Sequence, residues 1–234
     1  MKRKIKKSII LKIRGNIKPM SRLIEIHEYL LNNGYKETEL EEMDAYSVYL
    51  AFEIAIYAHR NQFRENGESY VLHPRRCMEA YRKFVGIKDN DCFCIDKDLM
   101  KEYGIPYDGM QEICMLHDVV EDTDFTIEEL EEIFVEQGMG SYFLVHIKDY
   151  LEYITHNDDV DYEDYLNTCM KYPRTALAKM IDLQDNLNIF TLSSFDEVRY
   201  DRAKKYLSYI YKIENKYHFL ENCEEYKKEF AKRK

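Results

Sequence analysis

Apolar residues recur at helical spacing along almost the whole chain. Residues 21–32 carry one such stripe, closed by Asn32-Asn33-Gly34-Tyr35. A second helix is predicted over 44–60, where Asp44 is placed to cap and Val48, Ala51, Phe52, Ala55, Ile56 and His59 share a face. The segment 61–72 breaks the pattern, with Asn66-Gly67 as its turn signal. Pro74 suits the first position of a helix reaching about Phe84, with Cys77, Tyr81 and Phe84 on its buried side. Residues 85–107 are the least regular stretch and read as an insertion or lid, with one short helix around 96–103. Regular spacing resumes at Gly109 and continues to about Val120. Thr126 followed by Glu129 is a capping box. Further helices are expected near 138–154, 161–171, 174–191 and 196–220.

These elements predict an all-α fold: a single helical domain over 21–225, a short basic N-terminal extension over 1–20, and a polar tail over 226–234. Composition agrees. Of 234 residues 45% are hydrophobic, enough for a sizeable core, and only eight Gly and four Pro argue against a turn-rich β-protein. The apolar runs are too short to span a bilayer, and the basic start lacks the apolar core of a signal peptide, so a cytoplasmic protein with no membrane partner is expected. Cysteines 77, 92, 94, 114, 169 and 223 have neither zinc-ribbon nor disulfide-scaffold spacing and read as reduced thiols. Residues 1–20 hold eight Lys or Arg and no acid, whereas the remaining 214 hold 26 basic and 44 acidic residues. An acidic body repels phosphates along a duplex, so duplex nucleic acid is an unlikely partner.

Chemistry concentrates at four residues: His73 in "HPRR", His117 and Asp118 in "LHDVVEDT", and Asp182 in "AKMIDLQDNL". Two imidazoles and two carboxylates make a candidate site for one divalent ion, of a hardness that suits Mn²⁺ or Fe²⁺ and admits Zn²⁺. His117 and Asp118 are about 100° apart around a helix, and Glu121 and Asp122 follow them one turn on. Those two acids are the candidates to orient or deprotonate an attacking water. Asp182 lies on a strongly apolar helix, where a lone carboxylate is costly and needs a partner. Lys179 lies one turn before it and Asn186 one turn after. Taken singly, each of these residues is more often a core or surface residue than a ligand. His59, His146 and His156 are secondary candidates; helix-end or solvent roles are the expectation for the last two. Tyr70, Tyr162 and Tyr165 are placed to stack on a base, and core packing is the default for most of the 21 tyrosines.

These segments resemble a known family. "QFRENGESYVLHP", "LHDVVEDTDFTIEEL" and "AKMIDLQDNL" are similar to the three motif stretches of the RelA/SpoT-type hydrolase domains, which are HD-type metal phosphohydrolases. The resemblance covers roughly residues 45–210, apart from 85–107. It implies an HD-type fold, Mn²⁺ held by His73, His117, Asp118 and Asp182, and Glu121 and Asp122 handling the water and the departing group. It also implies substrate contacts from Arg64 and Asn186, and hydrolysis of the 3′-pyrophosphate of an alarmone such as (p)ppGpp. Lys179 and Tyr162 complete the expected substrate-binding set. Two positions depart from the motif: Glu65 replaces a lysine and Ser69 a proline. A carboxylate at 65 would repel a heavily phosphorylated guanosine. Two other readings therefore stay open: a hydrolase of another nucleotide or RNA-end phosphate, and a metal-bound nucleotide-sensing module with little turnover.

Overall fold

A computed structural model describes residues 21–34, 46–85 and 109–220. The extension over 1–20, the candidate cap Asp44, nearly all of the insertion-like 85–107 and the tail over 226–234 lie outside the described residues.

The helices are α1 (Arg22–Asn32), α2 (Tyr46–Ala58), α3 (Leu72–Val85), α4 (Met110–Leu116), α5 (Val119–Asp122), α6 (Ile127–Glu136), α7 (Gly140–His146), α8 (Lys148–Ile154), α9 (Tyr162–Cys169), α10 (Pro173–Asn186) and α11 (Glu197–Tyr217), with a 3₁₀ turn at Ile189–Thr191. Among the described residues the extended pairing is one isolated antiparallel bridge, Phe63 with Ser69, so the all-α expectation holds.

Helix α4 explains how the core is organised. All seven of its residues are buried, as befits a short helix surrounded by others, and it packs against α2, α3, α8 and α10. Its two polar members are satisfied: Gln111 accepts from Arg82, and Glu112 accepts from Ser47 and Tyr142. The turn into α4 requires glycine. Gly109 has φ +78°, and a Cβ there would stand 2.3 Å from the His146 carbonyl oxygen. Helix α10 is buried continuously from Thr175 to Leu183 and lies against α3 and α11. The quartet residues therefore sit on, or at the end of, helices packed against this core, and packing fixes their directions.

Four boundaries differ from the periodicity. Pro74 is the third residue of α3 rather than the first. This is tolerated because first-turn N–H groups have no intrahelical acceptor to lose. The stretch from Gly109 to Val120 is two helices, interrupted at His117 and Asp118. The stretch 138–154 is likewise divided at the buried Ile147, whose φ of −126° departs from helical values. The expected 174–191 helix ends at Asn186 and is followed by the 3₁₀ turn, in which Asn188 caps Phe190. The Thr126–Glu129 capping box forms in full.

Candidate functional site

Three local devices hold the four quartet residues. His73 lies in the first turn of α3 and is buried. His117 and Asp118 occupy the break between α4 and α5, where Asp118 has φ −93° and ψ −9°. This sparsely populated region is one that site residues often adopt. Asp182 projects from the middle of α10, and the contacts of α10 with α3 and α4 bring it to both histidines.

His73 Nε2 lies 3.3 Å from Asp118 Oδ2 and 3.2 Å from Asp182 Oδ1. His117 Nε2 lies 3.2 Å from Asp118 Oδ1 and 3.7 Å from Asp182 Oδ1. The other nitrogen of each ring is engaged outside the cluster: His73 Nδ1 donates to Asp185 Oδ2 at 2.7 Å, and His117 Nδ1 to the Cys114 carbonyl at 2.9 Å. These partners assign the Nδ1–H tautomer and leave both Nε2 lone pairs aimed at carboxylate oxygens. A lone pair facing a carboxylate is repulsive unless a cation lies between them. His117 Nε2 is accordingly a buried atom without a hydrogen-bond partner. The donor set, two imidazole nitrogens and two carboxylates around one point, fits a divalent ion.

In the metal-free chain protons take that place. Burial works against the imidazolium forms, but the carboxylates of Asp118, Asp182 and Asp185 raise His73 well above its usual range, and Asp118 and Asp182 raise His117. Burial likewise opposes ionisation of Asp118 and Asp182, yet His117 and His73 lower the first, and Lys179 with both histidines lowers the second. Cys77 also approaches: single ligand atoms of His73, Cys77 and His117 lie within 4.8 Å of one another. Burial pushes the Cys77 thiol up to about 11, so it stays protonated, and the ionised carboxylates are the better ligands.

The remaining predicted residues fall into two groups. Lys179, buried on α10, places Nζ 2.8 Å from Asp182 Oδ2, and Asn186 donates to Asp182 Oδ1 at 2.6 Å. Arg64 Nη2 donates to Asn186 Oδ1 at 3.1 Å, while Arg64 Nε is buried without a partner. Glu121 and Asp122 turn to different neighbours. Glu121 accepts the His156 backbone N–H at 2.9 Å, and its carboxyl is raised by partial burial although the residue keeps solvent contact. Asp122 Oδ2 accepts from the Tyr70 hydroxyl at 2.8 Å, and the same hydroxyl lies 2.9 Å from Asp118 Oδ2. Tyr162 is half-buried, with its ring centroid 6.0 Å from Lys179 Nζ, and burial holds its phenol up at about 12. His146 and His156 stay out of the cluster: His146 ends α7 and stacks on Tyr142, and His156 Nε2 donates to the Val160 carbonyl. His59 is fully buried against the Tyr70 ring, its Nδ1 bonded to Gln62 and its Nε2 without a partner.

Beside the quartet opens a cavity of about 300 Å³. Tyr70, Arg64 and Asn186 belong both to its wall and to the network around the quartet. Its remaining wall includes Phe63, Phe195, Arg199, Arg202 and Tyr206. Of the three tyrosines expected to stack on a base, Tyr70 is part of this wall, and Tyr162 and Tyr165 are not. The loop before α3 is shaped for its task. The Arg64 and Tyr70 N–H groups bond across it to the Glu68 and Gln62 carbonyls, around a turn in which Gly67 has φ +83°. Sequence reasoning missed Asp185, Arg199, Arg202 and Tyr206. Asp185 carried a signal, standing one helical turn after Asp182; the other three carry none until α11 is folded against α10.

Comparison with known proteins was made on this geometry. No family model matches the chain. A solved structure of a metazoan orthologue of SpoT, a protein that hydrolyses ppGpp and plays a role in starvation responses, superposes with a TM-score of 0.52 over 80% of this chain and 95% of that one, at 20% sequence identity. The chain shares its all-α fold with that structure. The guanosine-3′,5′-bis(diphosphate) 3′-pyrophosphohydrolase of Borreliella burgdorferi is 28% identical over 121 residues, which are 52% of this chain and 14% of that protein. The chain thus spans a small part of that relative's length. Among its described residues no helix is long and apolar enough to cross a membrane.

Proposed function

We propose that this chain is a divalent-metal-dependent phosphohydrolase of a nucleotide phosphate or pyrophosphate ester, with the 3′-pyrophosphate of a guanosine alarmone such as (p)ppGpp as the leading substrate. The observation that carries the reading is the convergence of the His73 and His117 Nε2 atoms on Asp118 and Asp182 at 3.2–3.7 Å, with each Nδ1 tied elsewhere. Similarity to a ppGpp-hydrolysing protein and to a bacterial 3′-pyrophosphohydrolase supports the substrate class.

His73, His117, Asp118 and Asp182 would hold the ion, and Mn²⁺ suits their mixed hardness. Such an ion supplies Lewis acidity to a phosphoryl oxygen and makes a water nucleophilic near neutral pH. The chain's own groups supply the rest. Glu121, whose carboxyl is raised, is suited to take a proton from the attacking water and return it to the leaving oxygen. Tyr70 holds Asp118 and Asp122 in fixed relation through one hydroxyl. Arg64, with its buried and unpartnered Nε, and the exposed Arg202 offer cationic donors to phosphate along the cavity, while Phe63 and Tyr206 offer ring surfaces to a base.

The test is a screen of Mn²⁺-loaded protein against (p)ppGpp, (p)ppApp, dinucleotides and NADPH, reading released phosphate and pyrophosphate, with Asp118→Ala as the inactive control. Release by the wild type alone is the expected result. No release from any of them overturns the hydrolase reading. Absence of bound metal after Mn²⁺ addition overturns the metal site itself.

A further inference from the structure

The end of the cavity away from the quartet is closed by charge. Glu65 Oε2 accepts from Arg199 Nη2 at 2.6 Å and from the Ser193 hydroxyl at 3.0 Å, and both Glu65 and Arg199 line the cavity. Arg199 gives its other terminal nitrogen to Asp196, the residue that caps α11. A second link, from Asn66 Nδ2 to the Phe190 carbonyl at 3.2 Å, holds the same loop to the same segment. Arg199, which by position would be a phosphate ligand, thus already serves two carboxylates. Of the other cationic wall residues, Arg64 is engaged at the quartet end by Asn186, with Asp185 3.7 Å away. Among the described residues Arg202 has no carboxylate within salt-bridge distance. One uncommitted cation therefore serves this end, together with an anion that any further negative charge must approach.

We propose that the Glu65–Arg199 pair is a specificity determinant that disfavours, by a few-fold, nucleotides carrying more than one phosphate group on the end away from the metal-ligand quartet. The inference rests on the reading that a nucleotide occupies this cavity, and it ranks substrates within that reading without excluding (p)ppGpp. A single phosphate brings a charge of about −1.5 to −2, of which Arg202 offsets about half or more. A di- or triphosphate brings more, and must either face Glu65 or draw Arg199 away from it. The pair is exposed enough to be solvated, so the discrimination is a few-fold rather than absolute.

The test is titration of the metal-free protein, in the presence of a chelator, with guanosine 5′-monophosphate, 5′-diphosphate and 5′-triphosphate, followed by calorimetry. Wild-type protein is expected to bind the triphosphate no more tightly than the monophosphate. Glu65→Gln is expected to tighten the triphosphate by about three- to fivefold, the range of a solvated ion pair, and to change the monophosphate less than about twofold. The double variant Glu65→Arg with Arg199→Glu restores the pair with reversed polarity and is expected to return the wild-type ratio; a merely structural link would instead shift all three nucleotides together in Glu65→Gln. An unchanged ratio in Glu65→Gln, or failure of all three nucleotides to bind, overturns the inference. Hydrolysis with an unchanged ratio would sink this inference alone. The expected ratios without any phosphate release would leave the selectivity standing and sink the hydrolase reading.

Discussion

Asp185 Oδ2 lies 2.7 Å from His73 Nδ1 and so determines which nitrogen of His73 faces the quartet. The same carboxylate is gripped by Arg76 through Nε at 2.7 Å and Nη2 at 3.0 Å. Burial opposes its ionisation, but His73 and Arg76 hold it down to about 2. It is therefore a fixed anion at neutral pH that orients the imidazole. Asp185→Asn is expected to retain the fold and to lower Mn²⁺ affinity by about 10- to 100-fold, the usual cost of losing the group behind a ligating histidine. Calorimetric Mn²⁺ titration reads it, and an unchanged affinity would remove Asp185 from the site.

Metal binding should release protons. Neighbouring carboxylates raise both His73 and His117, so each ring keeps its proton to higher pH than a free imidazole, and an ion must displace it. Because the raised groups are protonated below their folded values, apparent Mn²⁺ affinity should climb as pH rises through them and fall as pH drops. Titration in two buffers of different ionisation enthalpy measures the protons released per ion. A value of zero across the neutral range would show that the two rings are already neutral.

Glu121→Gln removes the proton acceptor while keeping the shape of the side chain and its contact with the His156 N–H. The expected result is unchanged Mn²⁺ affinity with turnover lowered by about 10²- to 10⁴-fold. Loss of metal together with turnover would instead make Glu121 a ligand.

Tyr70→Phe leaves the ring against His59, with centroids 4.8 Å apart, but removes the hydroxyl shared by Asp118 and Asp122. Turnover should fall by about tenfold or more, with a smaller loss of metal affinity, as expected when a supporting hydrogen bond to a ligand is removed. Equal kinetics for the two proteins would mean that Asp118 is positioned by α5 alone.

Stability away from the site can be checked at α6. Thr126→Ala removes the hydroxyl that accepts the Glu129 N–H at 3.1 Å and leaves only the reciprocal bond from the backbone N–H of residue 126 to the Glu129 carboxylate. A loss of about 1 kcal/mol is expected from chemical denaturation, with no change in metal binding.

Much of this molecule is local in origin and could be read along the chain. The 3.6-residue spacing of apolar side chains dictates helices, Thr126 and Glu129 dictate where one begins, and Asn66-Gly67 dictates the turn that carries Arg64 and Tyr70. The helical spacing also tied Lys179 and Asn186 to Asp182, because residues three and four apart share a face whatever surrounds them. What periodicity could not supply were the interruptions. The break at His117 and Asp118 lies inside a run that reads as one helix, and what gives it meaning is the approach of α3 and α10 from elsewhere in the chain.

Glu65 marks the same boundary. From the sequence it is a carboxylate that repels phosphate; in the fold Arg199 and Ser193, more than 120 residues away, fix its place by hydrogen bonds. The sequence by itself determined the helices, the ligand types and the neighbours within a turn, because these depend on backbone geometry and residue chemistry. Tertiary structure alone decided that His73 and His117 present Nε2 to one point, that Asp185 stands behind His73, and that α11 closes a cavity beside them. Those relations depend on which buried faces pack together, and no local interaction encodes them.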